Sequence, residues 1–547
     1  MRDGQKIAII GAAFAVVVSA IGVGAYTVLG GDRDPDRSAL TASGSEAEPA
    51  PEPPTAAEVL AATEEFLTAW SAGDIELAAG LTDAPEEAEE ALAGFAEDAA
   101  VTELELEPAL AGEEPEGASV PFSVSARVSF EGLEGELGYE SELTVVRDED
   151  NGDPLVAWEP AVLHPQLDEG HRVETGPSGS APPVTALDRT GQPLDTEAFP
   201  SLAGIVAVLG ERYGERAGST PEIETRIVDE EGERTEQLLL LAEATAGQVP
   251  TTIDPVIQRA AEDAVAGKKK ASLVAVQPST GAVQAVANSP ADGTDIALQG
   301  SYAPGSTWKI VTAGMLIENG LAASGQPHPC PKFFDHGGWE FQNLNEFEIE
   351  NGTFAQSFAA SCNTAFISQA PELADDQLGK YAANAFGVGL DWSAGVPTMD
   401  GTVPTQENAQ MAAALIGQGA VRANPLVMAS VSATVKAGVF RQPYLVPLSF
   451  DGRAPAQAAG PSPEAAQQLR QMMNITATGG TAAEAMAGLG GDIGAKTGSA
   501  EVMDQDKPNA WFTAYRNDLA VAALVPASGH GGKIAGPLVA GVLRVAP

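Results

Sequence analysis

The stretch Tyr302-Ala303-Pro304-Gly305-Ser306-Thr307-Trp308-Lys309 runs straight into the apolar segment Ile310-Val311-Thr312-Ala313-Gly314-Met315-Leu316-Ile317. Proline and glycine mark a turn, and the apolar run after them predicts a buried helix beginning near Ser306. A serine at that point has free backbone N–H groups around it and the positive end of the helix dipole. Ser306 and Lys309 share a helix face, so the amine can take the hydroxyl proton if burial and neighbouring cations lower its pKa. A second hydroxyl and a second cation must complete such a site. Two later patterns, Ser361-Cys362-Asn363 and Lys496-Thr497-Gly498-Ser499, bring both.

Each pattern alone is weak. Ser-x-x-Lys usually marks a solvated helix face, Ser-x-Asn a turn or cap, and Lys-Thr-Gly a strand ending at a glycine turn. Their order and context carry the argument. A phosphate loop is excluded, because Ala495 stands between Gly494 and Lys496 where glycine must directly precede the lysine. Zinc hydrolysis is excluded too, since His164, His171, His328, His336 and His530 are scattered and no His-Glu-x-x-His occurs. These histidines read mostly as surface or hydrogen-bonded residues, and neither metal nor cofactor is implied.

The three motifs together resemble those of the penicillin-binding proteins, the serine D,D-transpeptidases, and their β-lactamase relatives. The resemblance continues through Thr251-Thr252-Ile253-Asp254, Gln258, Ala271 to Val276, Ser279 to Val283, Ile416 to Gly419, Asn424-Pro425-Leu426, Asn509 to Phe512 and Leu519 to Ala522, so it covers residues 251–547. Trp308 stands where the family usually has Phe; facing the core, it implies repacking. The fold implied is a multidomain chain ending in an α/β transpeptidase domain, an antiparallel sheet between helical layers.

The resemblance also implies the chemistry. Ser306 is the expected nucleophile and Lys309 its general base, with Ser361 passing the proton to the leaving amine through Lys496 or Lys309. Asn363 is expected to bond the stem-peptide amide, and Thr497 and Ser499 the terminal carboxylate of a D-alanyl-D-alanine peptide. The backbone N–H groups of Ser306 and Ser499 are the expected oxyanion hole, worth roughly 3 kcal/mol per donor. Gly498 is expected to let the acyl group approach an edge strand. Transpeptidation is the first expectation, since no carboxylate can be placed as a deacylating base. The alternatives are a D,D-carboxypeptidase, a β-lactamase, or an idle β-lactam-binding scaffold. Expected partners are peptidoglycan stem peptides, β-lactams and a membrane wall-polymerising glycosyltransferase.

Composition sets the compartment and little else. The net charge is −47, with no Lys or Arg between Arg37 and Arg127, which makes nucleic acid a poor partner. Residues 7–30 are almost wholly apolar with Arg2 and Lys6 before them, predicting a single anchor in a bacterial membrane with residues 1–6 cytoplasmic and the catalytic domain outside. A signal peptide cleaved after Val18-Ser19-Ala20 is the alternative. Residues 31–54, ending in a Pro/Ala/Glu run, read as an extended spacer.

Thr55-Ala56-Ala57-Glu58 is a capping box, and Val59, Thr63, Phe66, Leu67 and Trp70 follow at helical spacing, predicting a helix over 55–72. Short helices over 74–82 and 85–98 lead to strands whose alternation is clearest from Val120 to Phe130. Helices followed by a curved antiparallel sheet resemble the cone-shaped, nuclear-transport-factor-like domain of some class B penicillin-binding proteins. That assigns 55–168 to an α+β domain with a spacer role and 169–250 to a small mixed pedestal or dimerisation-like region.

Cys330 and Cys362, the only cysteines, lie outside the membrane in this orientation, where disulfides persist. A bridge is expected, closing a loop worth roughly 3 to 4 kcal/mol and pinning Ser361 near Lys309. Cys362 then points away from the substrate, provided that Ser361 and Asn363 face it from a locally extended segment. Two separate buried thiols are the alternative.

Overall fold

The computed structural model describes residues 52–109, 118–503 and 505–546. The expected cytoplasmic tail, the apolar run 7–30 and almost all of the 31–54 spacer lie outside the described residues. No helix among the described residues is long and apolar enough to cross a membrane.

Thr55 opens α1 (Ala56–Ser71) with a complete capping box: its side chain accepts from the Glu58 amide while the Glu58 carboxylate accepts from the Thr55 amide. With α2 (Ile75–Gly80) and α3 (Pro85–Glu97), this helix covers an antiparallel sheet ordered β1-β2-β3-β4 (Val101–Pro108, Ser119–Phe130, Leu133–Arg147, Pro154–Ala157). Val120, Phe122, Val124, Ala126 and Val128 are all buried, as strict alternation requires. Trp70 is the hub, its ring 5.9 Å from Phe95 and 6.3 Å from Phe122. Strand β1, at the edge, shows a shorter alternation: Leu104 and Leu106 are half-buried against the core while Glu103, Glu105 and Glu107 are exposed.

Residues 169–250 have no core of their own. Strand β5 (Arg172–Ser178) joins β7 (Glu222–Val228) and β8 (Arg234–Ala242) in a sheet that packs on the N-terminal domain. Val173 and Ile227 enter the core of that domain, and Leu238, Leu239 and Leu241 cover Ala126, Val128 and Leu137. Glycine is needed at Gly135, where a Cβ would come within 2.7 Å of the Leu241 side chain. By contrast, the parallel pair β6 (Thr185–Leu187) and β9 (Gln248–Pro250), together with α4 (Ala203–Tyr213), share the core of the C-terminal domain through Ala186, Val249, Leu202 and Leu209.

The C-terminal domain is three layers. Helix α5 (Pro255–Val265) leads into β10 (Ala271–Val276) and β11 (Val283–Ser289), which pair with three late strands, β14 (Ile493–Ala500), β15 (Asn509–Arg516) and β16 (Leu519–Val525). The sheet order is β11-β10-β16-β15-β14, with every pair antiparallel. Its strands are buried on both faces: Leu273, Phe512 and Val521 point to the layer of α5 and the C-terminal helix α17 (Gly536–Val545), whereas Val274, Trp511 and Ala522 point to the opposite core.

That opposite core is built by the segments between β11 and β14. They are α6 (Ile296–Gln299), a 3-10 turn over Gly305–Trp308, α7 (Lys309–Glu318), the hairpin β12 (Phe333–His336) and β13 (Trp339–Gln342), α8 (Phe354–Ala359), α9 (Thr364–Ile367), α10 (Gln377–Phe386), α11 (Asn408–Ala414), α12 (Pro425–Ala437), α13 (Leu448–Asp451) and α14 (Pro463–Gly479). The short α15 (Ala483–Met486) packs instead on the side of α5 and α17, through Ala485 and Met486. A last short helix, α16 (Gly531–Ile534), sits between β16 and α17. Helix α7 is buried on all sides from Lys309 to Ile317, so it forms the axis of this layer rather than its surface.

The shared leucine contact predicts how the chain responds to truncation. Starting it near residue 170 exposes Val173, Ile227 and Leu238, so the shortened protein should melt several degrees lower and bind an apolar dye, while the folded fraction should react with penicillin at a similar rate. An unchanged melting curve would show that the two sheets fold independently.

Candidate active site

The 3-10 turn bearing Ser306 is pressed against the edge strand β14. Gly305 has φ +53°, and a Cβ there would lie 2.6 Å from the Ser499 carbonyl oxygen. Across the contact, a Cβ on Gly498 would meet the Thr307 side chain at 2.9 Å and the Pro304 oxygen at 3.0 Å. Gly498 is therefore required by packing against the turn that carries Ser306, a different reason from the acyl-group approach expected from sequence. Trp308 is fully buried, as its apolar setting implied, and the Trp511 indole N–H donates to the Ala303 oxygen at 2.9 Å, fixing the turn from below.

Ser361 and Asn363 do not lie on an extended segment, which corrects the expectation. They form the turn between α8 and α9, with Ser361 at φ +62° and Asn363 at φ −85°, ψ −50°. A non-glycine residue in the left-handed region costs about 1 to 2 kcal/mol and persists only where its surroundings hold it. Two devices hold it here. Cys362 is bonded to Cys330, with Cα atoms 6.2 Å apart, and both are fully buried. Asn343 supplies the second: its Oδ1 accepts from the amides of Asn363 at 2.7 Å and Thr364 at 3.2 Å, while its Nδ2 donates to the Pro331 and Phe347 oxygens at 2.8 and 2.9 Å. Nothing in the sequence singles out Asn343, one of three amide side chains in the stretch Gln342-Asn343-Leu344-Asn345 between motifs.

Both lysines are fully buried behind this turn. Lys309 Nζ donates to the Ser361 carbonyl and to Asn363 Oδ1, each at 2.7 Å. Burial, and then the positive charge of Lys496, hold its amine well below the usual lysine range. A neutral amine has two N–H donors and one lone pair. Two of the Lys309 N–H groups are engaged by the turn, so in its neutral form the amine would have its lone pair to spare. Lys496 Nζ bonds Ser361 Oγ at 2.8 Å and the Thr497 oxygen at 3.1 Å, and burial pulls it down to about 7. Ser306 lines the same cleft, and its hydroxyl makes no hydrogen bond among the described residues. Catalytic hydrogen bonds are commonly long until substrate is bound.

The cleft encloses about 470 Å³ and is lined by Ser306, Ser361, Asn363, Thr497, Gly498 and Ser499. Residues that the sequence did not point to share it. Thr481 Oγ1 lies 2.7 Å from Thr497 Oγ1, and His530 Nδ1 lies 3.1 Å from Ser499 Oγ. Glu484, Glu501 and Lys533 add charge to the walls, and the Glu501 carboxylate accepts from Gln418 Nε2 at 2.8 Å. The other histidines lie elsewhere; His328, for example, is buried with Nε2 against the Ala365 oxygen at 2.8 Å.

The penicillin binding protein transpeptidase domain matches residues 271–544. The chain belongs to the penicillin-binding protein transpeptidase family. An NTF2-like N-terminal transpeptidase domain matches residues 58–171. The transpeptidase is similar to the peptidoglycan D,D-transpeptidase PbpA of Mycolicibacterium smegmatis, 28% identical over 351 residues, covering 53% of this chain and 71% of that protein. PbpA of Mycobacterium tuberculosis is 29% identical over 362 residues, covering 55% and 72%. In fold it is similar to PBP2 of Pseudomonas aeruginosa, with 22% identity, a TM-score of 0.54, and coverage of 67% of this chain and 96% of that one. A protein solved in a peptidoglycan synthase complex that coordinates polymerization and crosslinking has 25% identity and a TM-score of 0.52, covering 63% and 70%.

The position of Asn343 makes it a test of how the Ser361 turn is held. Asn343→Ala leaves two amides and two carbonyls short of partners, about 1 to 3 kcal/mol for each group that stays unsatisfied. Melting should drop by several degrees and acylation by a β-lactam by about tenfold as Ser361 drifts from Lys496. An unchanged acylation rate would show that the disulfide alone holds the turn.

Proposed function

We propose that this chain is a peptidoglycan D,D-transpeptidase that cross-links stem peptides through an ester on Ser306. The observation that carries the reading is the pair of fully buried lysine amines meeting Ser361 from two sides in one cleft with Ser306. Lys309 takes the Ser306 proton on its free lone pair as the oxygen attacks the D-alanyl carbonyl. The tetrahedral oxyanion is received by the backbone N–H groups of Ser306 and Ser499. As the C–N bond breaks, Ser361 gives its proton to the departing D-alanine amine and is reprotonated from Lys496. The amine of a second stem peptide then attacks the ester, and the same relay runs in reverse. Asn363 bonds the stem-peptide backbone, and Thr497 with Ser499 binds the terminal carboxylate.

The apolar run 7–30 anchors the protein with its catalytic domain outside the membrane, and residues 55–168 raise that domain above it. A wall-polymerising glycosyltransferase is the partner this arrangement calls for, since cross-linking needs newly made strands beside it. The relative solved in a peptidoglycan synthase complex supports that pairing.

A fluorescent penicillin should label the full-length protein covalently, and Ser306→Ala should abolish the label. Undiminished labelling of the variant would remove Ser306 from its role.

Hydrolysis is the second reading, favoured by one observation: Glu484 and Glu501 line the cleft, where either carboxylate has access to water. A transpeptidase should hold the penicilloyl ester for many minutes, and Glu484→Gln and Glu501→Gln should leave its lifetime unchanged. Rapid nitrocefin turnover that is lost in either variant would instead establish a hydrolase.

A further inference from the structure

His530 has no part in the chemistry above, yet its side chain is built into the carboxylate wall. The turn that carries it lies flat on the sheet: a Cβ on Gly531 would run into the carbonyl oxygens of Trp511 and Gly498, and one on Gly532 would come 3.0 Å from the Thr481 oxygen. At Gly531 only glycine permits this approach, and at Gly532 a side chain would be tight. The His530 carbonyl in turn accepts from the amides of Ile534 at 3.1 Å and Lys533 at 3.2 Å, so the backbone is held as well. The result is His530 Nδ1 at 3.1 Å from Ser499 Oγ, on the open side of the cleft.

A serine hydroxyl has one proton to give. If Nδ1 carries no hydrogen, it accepts that proton and turns the Ser499 O–H away from the substrate. If Nδ1 carries one, it donates to the Ser499 oxygen, and the hydroxyl proton is free to point into the cleft. Thr497 is matched in the same way by Thr481.

We infer that His530 is a positioning residue for substrate recognition, donating from Nδ1 to Ser499 so that Ser499 donates to the terminal carboxylate. The inference rests on the transpeptidase reading and adds a determinant of specificity: the site selects ligands with a free carboxylate, and part of that selection comes from His530.

The test compares acylation of the full-length protein by benzylpenicillin and by its methyl ester, which lacks the anion. His530→Phe should slow reaction with the free acid about tenfold, as expected for loss of a charge-assisted hydrogen bond, through weaker initial binding rather than a slower chemical step. Reaction with the ester should be unchanged. His530→Asn, whose Nδ2 occupies the place of Nδ1, should restore most of the rate with the acid. Equal losses for acid and ester, or no loss for either, would overturn the inference and leave the transpeptidase reading standing. Wild-type protein that neither compound acylates would overturn the transpeptidase reading, and this one with it.

Discussion

Two lysine amines sit with no solvent exposure and, among the described residues, no salt bridge. Burying a charged amine costs several kcal/mol, so both amines hold their protons less tightly than a solvated lysine does. That single constraint brings both within reach of proton exchange. Phe366 and Phe358 flank them, their rings 5.5 Å from Lys309 Nζ and 5.6 Å from Lys496 Nζ. The core around α7 and α14 therefore serves the chemistry as well as stability.

Holding both amines against Ser361 demands backbone approaches that side chains forbid. The turn that carries Ser306, the strand β14, the segment after α11 and the start of α16 meet at Gly305, Gly498, Gly417 and Gly531, each lacking room for a Cβ. This interlock places Ser306 in one cleft with Ser361, Thr497 and Ser499. The strained Ser361 turn is the complementary element, retained by a disulfide on one side and by the Asn343 amide on the other.

Much of the fold was legible. The capping box at Thr55, the alternation from Val120 to Val128 and the apolar run after Ser306 are local signals, set by backbone periodicity and by end groups needing hydrogen bonds, and the elements formed where those signals lie. Strand β1 carries a shorter alternation of the same kind, Leu104 and Leu106 against the core and Glu103, Glu105 and Glu107 outward. The pedestal region gave only element types. Its division between two cores follows from which leucines found a neighbouring sheet, a matter of packing across domains.

By itself, the sequence determined which chemical groups are present and which are neighbours on one turn or one strand: Ser306 with Lys309, Ser361 with Asn363, and Thr497 with Ser499. These relations depend on spacings of two or three residues, which backbone geometry converts directly into proximity. Tertiary structure decided the rest. Lys496 meets Ser361 across 135 residues because β14 is the edge strand of its sheet. Asn343 meets Asn363 and His530 meets Ser499 only once loops from different parts of the chain have been folded onto that edge. Contacts of that kind leave no periodicity in the sequence, because they are set by the order of strands and the shape of the cleft rather than by any local repeat.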